Sequence, residues 1–210
     1  MLVTRFPLLI TLVCLSIHAM ALADDSTEPP LTYTLEVDGK KFLLNADKTV
    51  ILKGSFNNPK VTLRASETRR FEQDDIAFNY PANFTFEADL SDPDVRTWTM
   101  SGNNVTLMLF GFDGPVTPTE LINSTAQTLK TTVEQLKPTS LKLGSLTSEG
   151  QTASLTLGEA SLSYTVVTIP TAEGKGRLLV VQDVPGDDGK PSEEFTTVVK
   201  MLEESFSKKP

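Results

Sequence analysis

Apolar and polar residues alternate from residue 31 onward: Tyr33, Leu35 and Val37 fall on one side, Thr32, Thr34 and Glu36 on the other. That period of two is what a half-buried β-strand requires. Asp38-Gly39 interrupts it before Phe42 and Leu44 resume, which predicts a hairpin turn. Val50 and Leu52, a turn over 54–59, and then Val61 and Leu63 extend the pattern. Residues 31–66 therefore read as a small antiparallel β meander. A piece of about 35 residues cannot bury an adequate core alone, so it must pack on the main domain or on a second copy, giving a homodimer through the meander.

The main domain is expected over residues 70–210. Ile76 and Phe78 lead into Tyr80-Pro81, and Phe84 and Phe86 follow. Residues 95–100 and 105–112 form the next strand pair around Gly102-Asn103-Asn104. A helix is then announced by Thr117, Pro118 and Glu120, a Thr-x-x-Glu capping box with proline in the first turn. Its apolar stripe runs Ile122, Ala126, Leu129, Val133 and Leu136, and Pro138 is expected to stop it. Four strands follow at 141–146, 152–157, 162–169 and 178–184. Leu178-Leu179-Val180-Val181 is apolar on successive residues, the mark of a central strand covered on both faces. A closing helix begins at a Ser192 cap, with Glu193 and Glu194 in the positive first turn, Phe195, Val198, Val199, Leu202 and Phe206 inward, and Lys208-Lys209 at the negative end. The fold class this predicts is α+β: an antiparallel sheet flanked by two main helices, an α/β/α sandwich, with the meander in front.

The amino-terminal end changes the picture of where the chain works. Arg5, the apolar run from Leu8 to Ile17 and the small residues Ala21-Leu22-Ala23 form a signal peptide over residues 1–23. A short disordered lead-in, 24–30, follows it. The protein is thus expected to be secreted or periplasmic, and no later segment offers the run of about 20 apolar residues that a membrane-spanning helix needs. The only histidine, His18, and the only cysteine, Cys14, both lie in the leader. Their loss removes imidazole acid/base chemistry, thiol nucleophiles, Ser-His-Asp triads and most metal sites. Neither a cofactor nor a metal is expected. Of the metals only calcium suits the remaining oxygen ligands, and no acidic cluster has the spacing of an EF-hand loop. Removing Arg5 leaves 18 basic against 27 acidic residues, a net charge of −9, which argues against nucleic acid as a partner.

The sequence Phe78-Asn79-Tyr80-Pro81-Ala82-Asn83-Phe84, the capped helix from Thr117 and the phenylalanine-bearing helix Phe195 to Phe206 occur in an order that resembles the PsbP-like superfamily over residues 70–208. The resemblance implies an antiparallel α/β/α sandwich serving as an accessory or partner-binding domain, not an enzyme. It leaves residues 31–66 outside. The nuclear and photosynthetic roles found in that superfamily do not transfer to a chain with this leader and without histidine.

The acids are the remaining groups that could carry chemistry. Glu72 with Asp74 and Asp75, Asp89 with Asp92 and Asp94, and Asp187-Asp188 with Glu193-Glu194 could each run carboxylate hydrolysis if two converged across a cleft. Their turn and helix-start settings explain them without catalysis. Ser205-Phe206-Ser207-Lys208 and Gly174-Lys175-Gly176 lack the companion motifs of penicillin-recognising enzymes and of phosphate loops. No catalytic residue is assigned. The leading expectation is a non-catalytic exported domain that binds a protein partner. The alternative is a carrier of a small hydrophobic ligand in a pocket beside Tyr80, Trp98, Phe110 and Phe112, with a carboxylate-based hydrolase the remote third.

Overall fold

The computed structural model describes residues 27–46, 48–158 and 160–209. The expected signal peptide, with His18 and Cys14, and residues 24–26 of the expected lead-in lie outside them. Thirteen strands and two helices follow in order: β1 (Thr32–Val37), β2 (Lys40–Asn45), β3 (Val61–Ala65), β4 (Thr68–Gln73), β5 (Ile76–Pro81), β6 (Thr85–Asp89), β7 (Val95–Ser101), β8 (Val105–Phe112), α1 (Pro118–Thr128), β9 (Val133–Leu143), β10 (Leu146–Leu157), β11 (Ala160–Thr168), β12 (Gly176–Asp183), α2 (Glu193–Ser205) and β13 (Ser207–Lys208).

The α+β expectation of an α/β/α sandwich with two main flanking helices does not hold. The chain is mostly β, 50% strand against 13% helix, and it builds three sheets. The largest has seven strands in the order β6-β7-β8-β12-β11-β10-β9, antiparallel throughout. β12 sits at its centre, and Leu178, Leu179, Val180 and Val181 are all fully buried. Strand alternation sends Leu178 and Val180 to one face and Leu179 and Val181 to the other, so each face must be covered.

One cover is α1, packed on β11, β10 and β9. Ile122 and Ala126 bury themselves there against Ala153, Leu155, Leu162, Tyr164 and Val166. The opposite cover is composite. There α2 and the small sheet β13-β5-β4 together present Phe71, Ile76, Phe78, Tyr80, Val198, Leu202 and Phe206 to Trp98, Met100, Leu107, Leu109 and Leu179. A sheet thus supplies part of the layer that was expected from a helix. Aromatic contacts join the pieces: Phe78 stacks on Phe71 at 4.8 Å and on Phe206 at 6.1 Å, while Phe71 meets Trp98 edge-on at 5.9 Å.

The first helix ends earlier than its apolar stripe suggests. The capping box is present as read, with Thr117 and Glu120 exchanging hydrogen bonds. After Leu129, however, Lys130 takes a left-handed φ of 54°, its N–H donates to Gln127 and the Thr131 N–H to Ala126. This is a Schellman closure with lysine where glycine is usual. Val133 and Leu136, expected on the helix, instead lie on β9. Pro138, expected to stop the helix, lies inside that strand, which tolerates it because β9 is a sheet edge and one side of its backbone needs no partner. The expected strand over 141–146 is in fact the end of β9, a turn at Gly144 and the start of β10. Gly144 has φ 58°, and a Cβ there would meet the Phe206 carbonyl oxygen at 2.2 Å, so this turn is packed under the end of α2.

The amino-terminal piece is not a meander. β1 and β2 form the expected hairpin, with Asp38 and Gly39 both at positive φ, but the sheet order is β2-β1-β3. Residues 50–52 form no strand. Because β2 and β3 are both antiparallel to β1, they run parallel to each other, and the chain from 46 to 60 must cross the length of the sheet to join them. Before this unit, Glu28 pairs with Arg69 at 3.2 Å and the Pro29 carbonyl accepts from the same guanidinium.

The start of α2 is fixed by three carboxylate and hydroxyl contacts. Ser192 caps the Phe195 N–H, the buried Asp183 accepts from the Ser192 N–H, and Glu194 accepts from the N–H groups of Asn103, Asn104 and Val105 at 3.3, 2.6 and 2.9 Å. Glu194 therefore ties α2 to the turn between β7 and β8, while its exposed neighbour Glu193 reaches no such donors. Bonds to a charged acceptor carry more than neutral ones. Thermal or urea unfolding should find Glu194→Ala less stable by about 1–3 kcal/mol and Glu193→Ala nearly unchanged; equal effects would show that the carboxylate grip contributes nothing.

Candidate functional site

The four aromatics expected to share a pocket are divided by the sheet. Tyr80 and Trp98 are buried under the α2 side. Phe110 and Phe112 stack on each other at 5.8 Å on the α1 side, both half-buried. The reason is parity: Trp98 pairs with Leu109, so Phe110, one residue further along, faces the other way. No single cavity gathers all four. The Tyr80 hydroxyl lies buried with no hydrogen-bond partner among the described residues, and burial pushes its pKa up to about 12.

The α1 side nonetheless carries a groove. Since α1 packs on β11, β10 and β9, the half of that face made by β6, β7 and β8 is left without a helix. Between α1 and this open half, Met108, Phe110, Leu121, Leu129 and Tyr164 line a trough of about 300 Å³, with Ser124, Thr125, Thr128 and Gln182 at its margins. Register places each wall. Met108 and Phe110 pair with Val180 and Leu178 of the central strand, and Gln182 lies between Thr106 and Tyr164. The Thr125 hydroxyl meets the Tyr164 hydroxyl at 3.4 Å across the gap, and burial raises the Tyr164 pKa. On the outer side, Thr97 and Thr99 of β7 lie beside Phe110 and Met108, and Asp89 and Glu87 of β6 lie beside those threonines. An apolar floor with a hydroxyl and carboxylate border results.

Several of the acids in the expected clusters make local or cross-element contacts. Asp89 accepts from Ser91 and Asp188 from Lys190, each local, and those bonds hold both carboxyls below the ordinary range. Among the described residues Asp74 and Asp75 form the most extended charged network. Arg177 of β12 bonds both of them, Arg96 reaches Asp74 at 3.2 Å and Lys208 reaches Asp75 at 3.1 Å. These contacts fasten the β4–β5 turn and β13 to the large sheet. Lys208, expected to complement the helix end, has this use instead, and Lys209 pairs with Glu72. The guanidinium of Arg96 also stands 5.5 Å from the centre of the Trp98 ring. Among the described residues no three His, Cys, Asp or Glu side chains converge to hold a metal, and no helix is long and apolar enough to cross a membrane.

Comparison with known proteins finds no family model that matches the chain and no matching curated protein.

The network has a pH signature. Burial acts to raise the Asp75 carboxyl, but hydrogen bonds from Arg177 and Lys208 outweigh it and leave the group below its usual range. A carboxyl depressed in the folded state contributes stability that is complete above its unfolded value near 4 and is lost as pH falls through the folded one. Asp75→Asn should therefore lower stability at pH 7 by about 1–2 kcal/mol and flatten the loss of stability below about pH 4. Denaturation curves across that range check it, and an Asp75→Asn protein that keeps the full acid dependence would contradict the assignment.

Proposed function

We propose that this chain is a non-catalytic exported domain that binds a protein partner along the open half of the α1-side face. The observation that carries the reading is the groove beside α1, where the half-buried Met108 and Phe110 and the end of the helix are left by the fold without a covering element. Apolar floors with aromatic and methionine side chains and a polar border are the anatomy of a contact surface. The leader motif supports export to the periplasm or cell envelope.

A small hydrophobic ligand in the same groove is the second reading, favoured by the Tyr164 hydroxyl and Gln182 at an apolar floor. A trough of about 300 Å³ lies at the low end of small-ligand sites, and its rim residues Ser124 and Thr128 are exposed, which suits side chains of a partner better than an enclosed ligand.

The test substitutes the rim without touching the core. Ser124→Arg combined with Thr128→Arg should weaken a stoichiometric partner recovered from the native source by tenfold or more. Lys200→Ala, on the exposed side of α2, should leave it unchanged. A partner retained by the first variant, or a turnover abolished by one carboxylate substitution, would refute the proposal.

A further inference from the structure

Charge is distributed unevenly along the chain. Residues 31–66 carry six lysines and arginines against three acids, a net of +3, whereas residues 67–210 carry 12 basic against 21 acidic residues, a net of −9. The two groups of cations are also used differently. In the body nine of the twelve form ion pairs: Arg69, Arg96, Lys142, Lys175, Arg177, Lys190, Lys200, Lys208 and Lys209. Among the described residues none of Lys40, Lys41, Lys48, Lys53, Lys60 and Arg64 does. Six cations with no ion pair among the described residues give this unit a local excess of positive charge on an otherwise acidic protein.

The same unit holds the exposed apolar residues. Of the nine large hydrophobic side chains most exposed among the described residues, six lie between residues 43 and 63, with Ile51 82% and Leu43 72% exposed. The centre is the crossover between β2 and β3. Its sequence Lys48-Thr49-Val50-Ile51-Leu52-Lys53 sets an apolar tip between two lysines, with Phe56 and Lys60 following. None of the described residues from 46 to 60 lies in a helix or strand, and irregular connections of this length inside folded units are commonly functional.

We propose that this crossover docks on an anionic lipid bilayer, Val50, Ile51 and Phe56 entering the interface and Lys48, Lys53 and Lys60 meeting lipid phosphates. Three features select a bilayer over a protein surface. The tip is exposed and irregular, neither a groove nor a sheet face, and a bilayer demands no complementary shape. Lysine carries its apolar stem into the interface while its ammonium stays at the phosphate level. The net charge of −9 on residues 67–210 disfavours their approach to an anionic surface within a Debye length of about 10 Å, which favours approach through the basic unit. The groove beside α1 is separate, and this inference does not rest on it.

An Ile51→Trp reporter in the full chain reads the tip once the emission of the buried Trp98, measured in the unsubstituted protein with and without vesicles, is subtracted. Vesicles of equal parts phosphatidylcholine and phosphatidylglycerol should shift its emission to the blue, phosphatidylcholine alone much less, and added salt should reverse the shift. Since each basic residue near an anionic surface is worth roughly a fivefold change in partitioning, Lys48→Gln with Lys53→Gln should weaken the effect about 30-fold. Phe56→Ser should weaken it several-fold without unfolding the protein, the residue being 45% exposed. No vesicle-dependent shift, or one indifferent to lipid charge and to the lysine substitutions, would overturn the proposal. A shift that instead grows with protein concentration without vesicles would overturn it in favour of a second copy on this surface.

Discussion

The burial of β12 on both faces organises this molecule. Four consecutive apolar residues at its middle leave no side of the strand for water, and the large sheet must therefore be enclosed from above and below. Each fully buried aliphatic side chain contributes about 1.5–3 kcal/mol relative to exposure, so the four together favour covered over open arrangements, while the ordering of the covers is offset mainly by the apolar side chains the covers themselves bury. Everything else in the main body can be read as the means by which those two covers are found and held.

The covers are unequal. On one face α2, the small sheet and the aromatic series from Phe71 to Phe206 reach as far as β6, through Phe86 and Ala88. The three backbone N–H groups held by Glu194 and the Asp74–Asp75 network lock that assembly at two ends. On the other face an 11-residue helix packs only on the three strands that follow it in sequence, β9, β10 and β11. Such a helix is about 16 Å long, while seven strands at about 4.8 Å spacing are nearly twice as wide. The uncovered strip that follows from this mismatch is where a partner contact is proposed.

Much of this was written in local pattern. The Asp38-Gly39 hairpin, the Thr117 and Ser192 caps and the doubly buried run at 178–181 are each set by neighbours in sequence, and each is present. What was misread depended on distant partners or on a substituted signal. Lys130 closes α1 in a conformation that glycine ordinarily marks, so the stripe through Val133 and Leu136 matches a helical period with no stop signal before it. Pro138 stands in a strand because that strand is an edge, a fact that only the whole sheet supplies. The pairing of β3 back onto β1 cannot be told from a meander by alternation alone. The aromatic pocket failed for a related reason: Trp98 and Phe110 lie on different strands, and which face each takes depends on a register that sequence spacing does not reveal. The groove itself had a faint signal in Met108 and Phe110, apolar residues on a strand whose alternate positions, Leu107 and Leu109, already supply a core. Its other wall, Leu121 and Leu129, was indistinguishable from helix core before the helix was seen to cover half a sheet.

The central claim is that one face of the large sheet is sealed and the other half open, and methionine reports on both. Methyl signals of Met100, buried beneath the small sheet, and Met108, in the groove, can be followed by NMR with a soluble paramagnetic agent. The account predicts strong broadening of Met108 in the free protein, its protection on addition of the partner, and no effect on Met100 in either state. Equal protection of the two methyl groups in the free protein would mean that the groove is closed and would contradict the account.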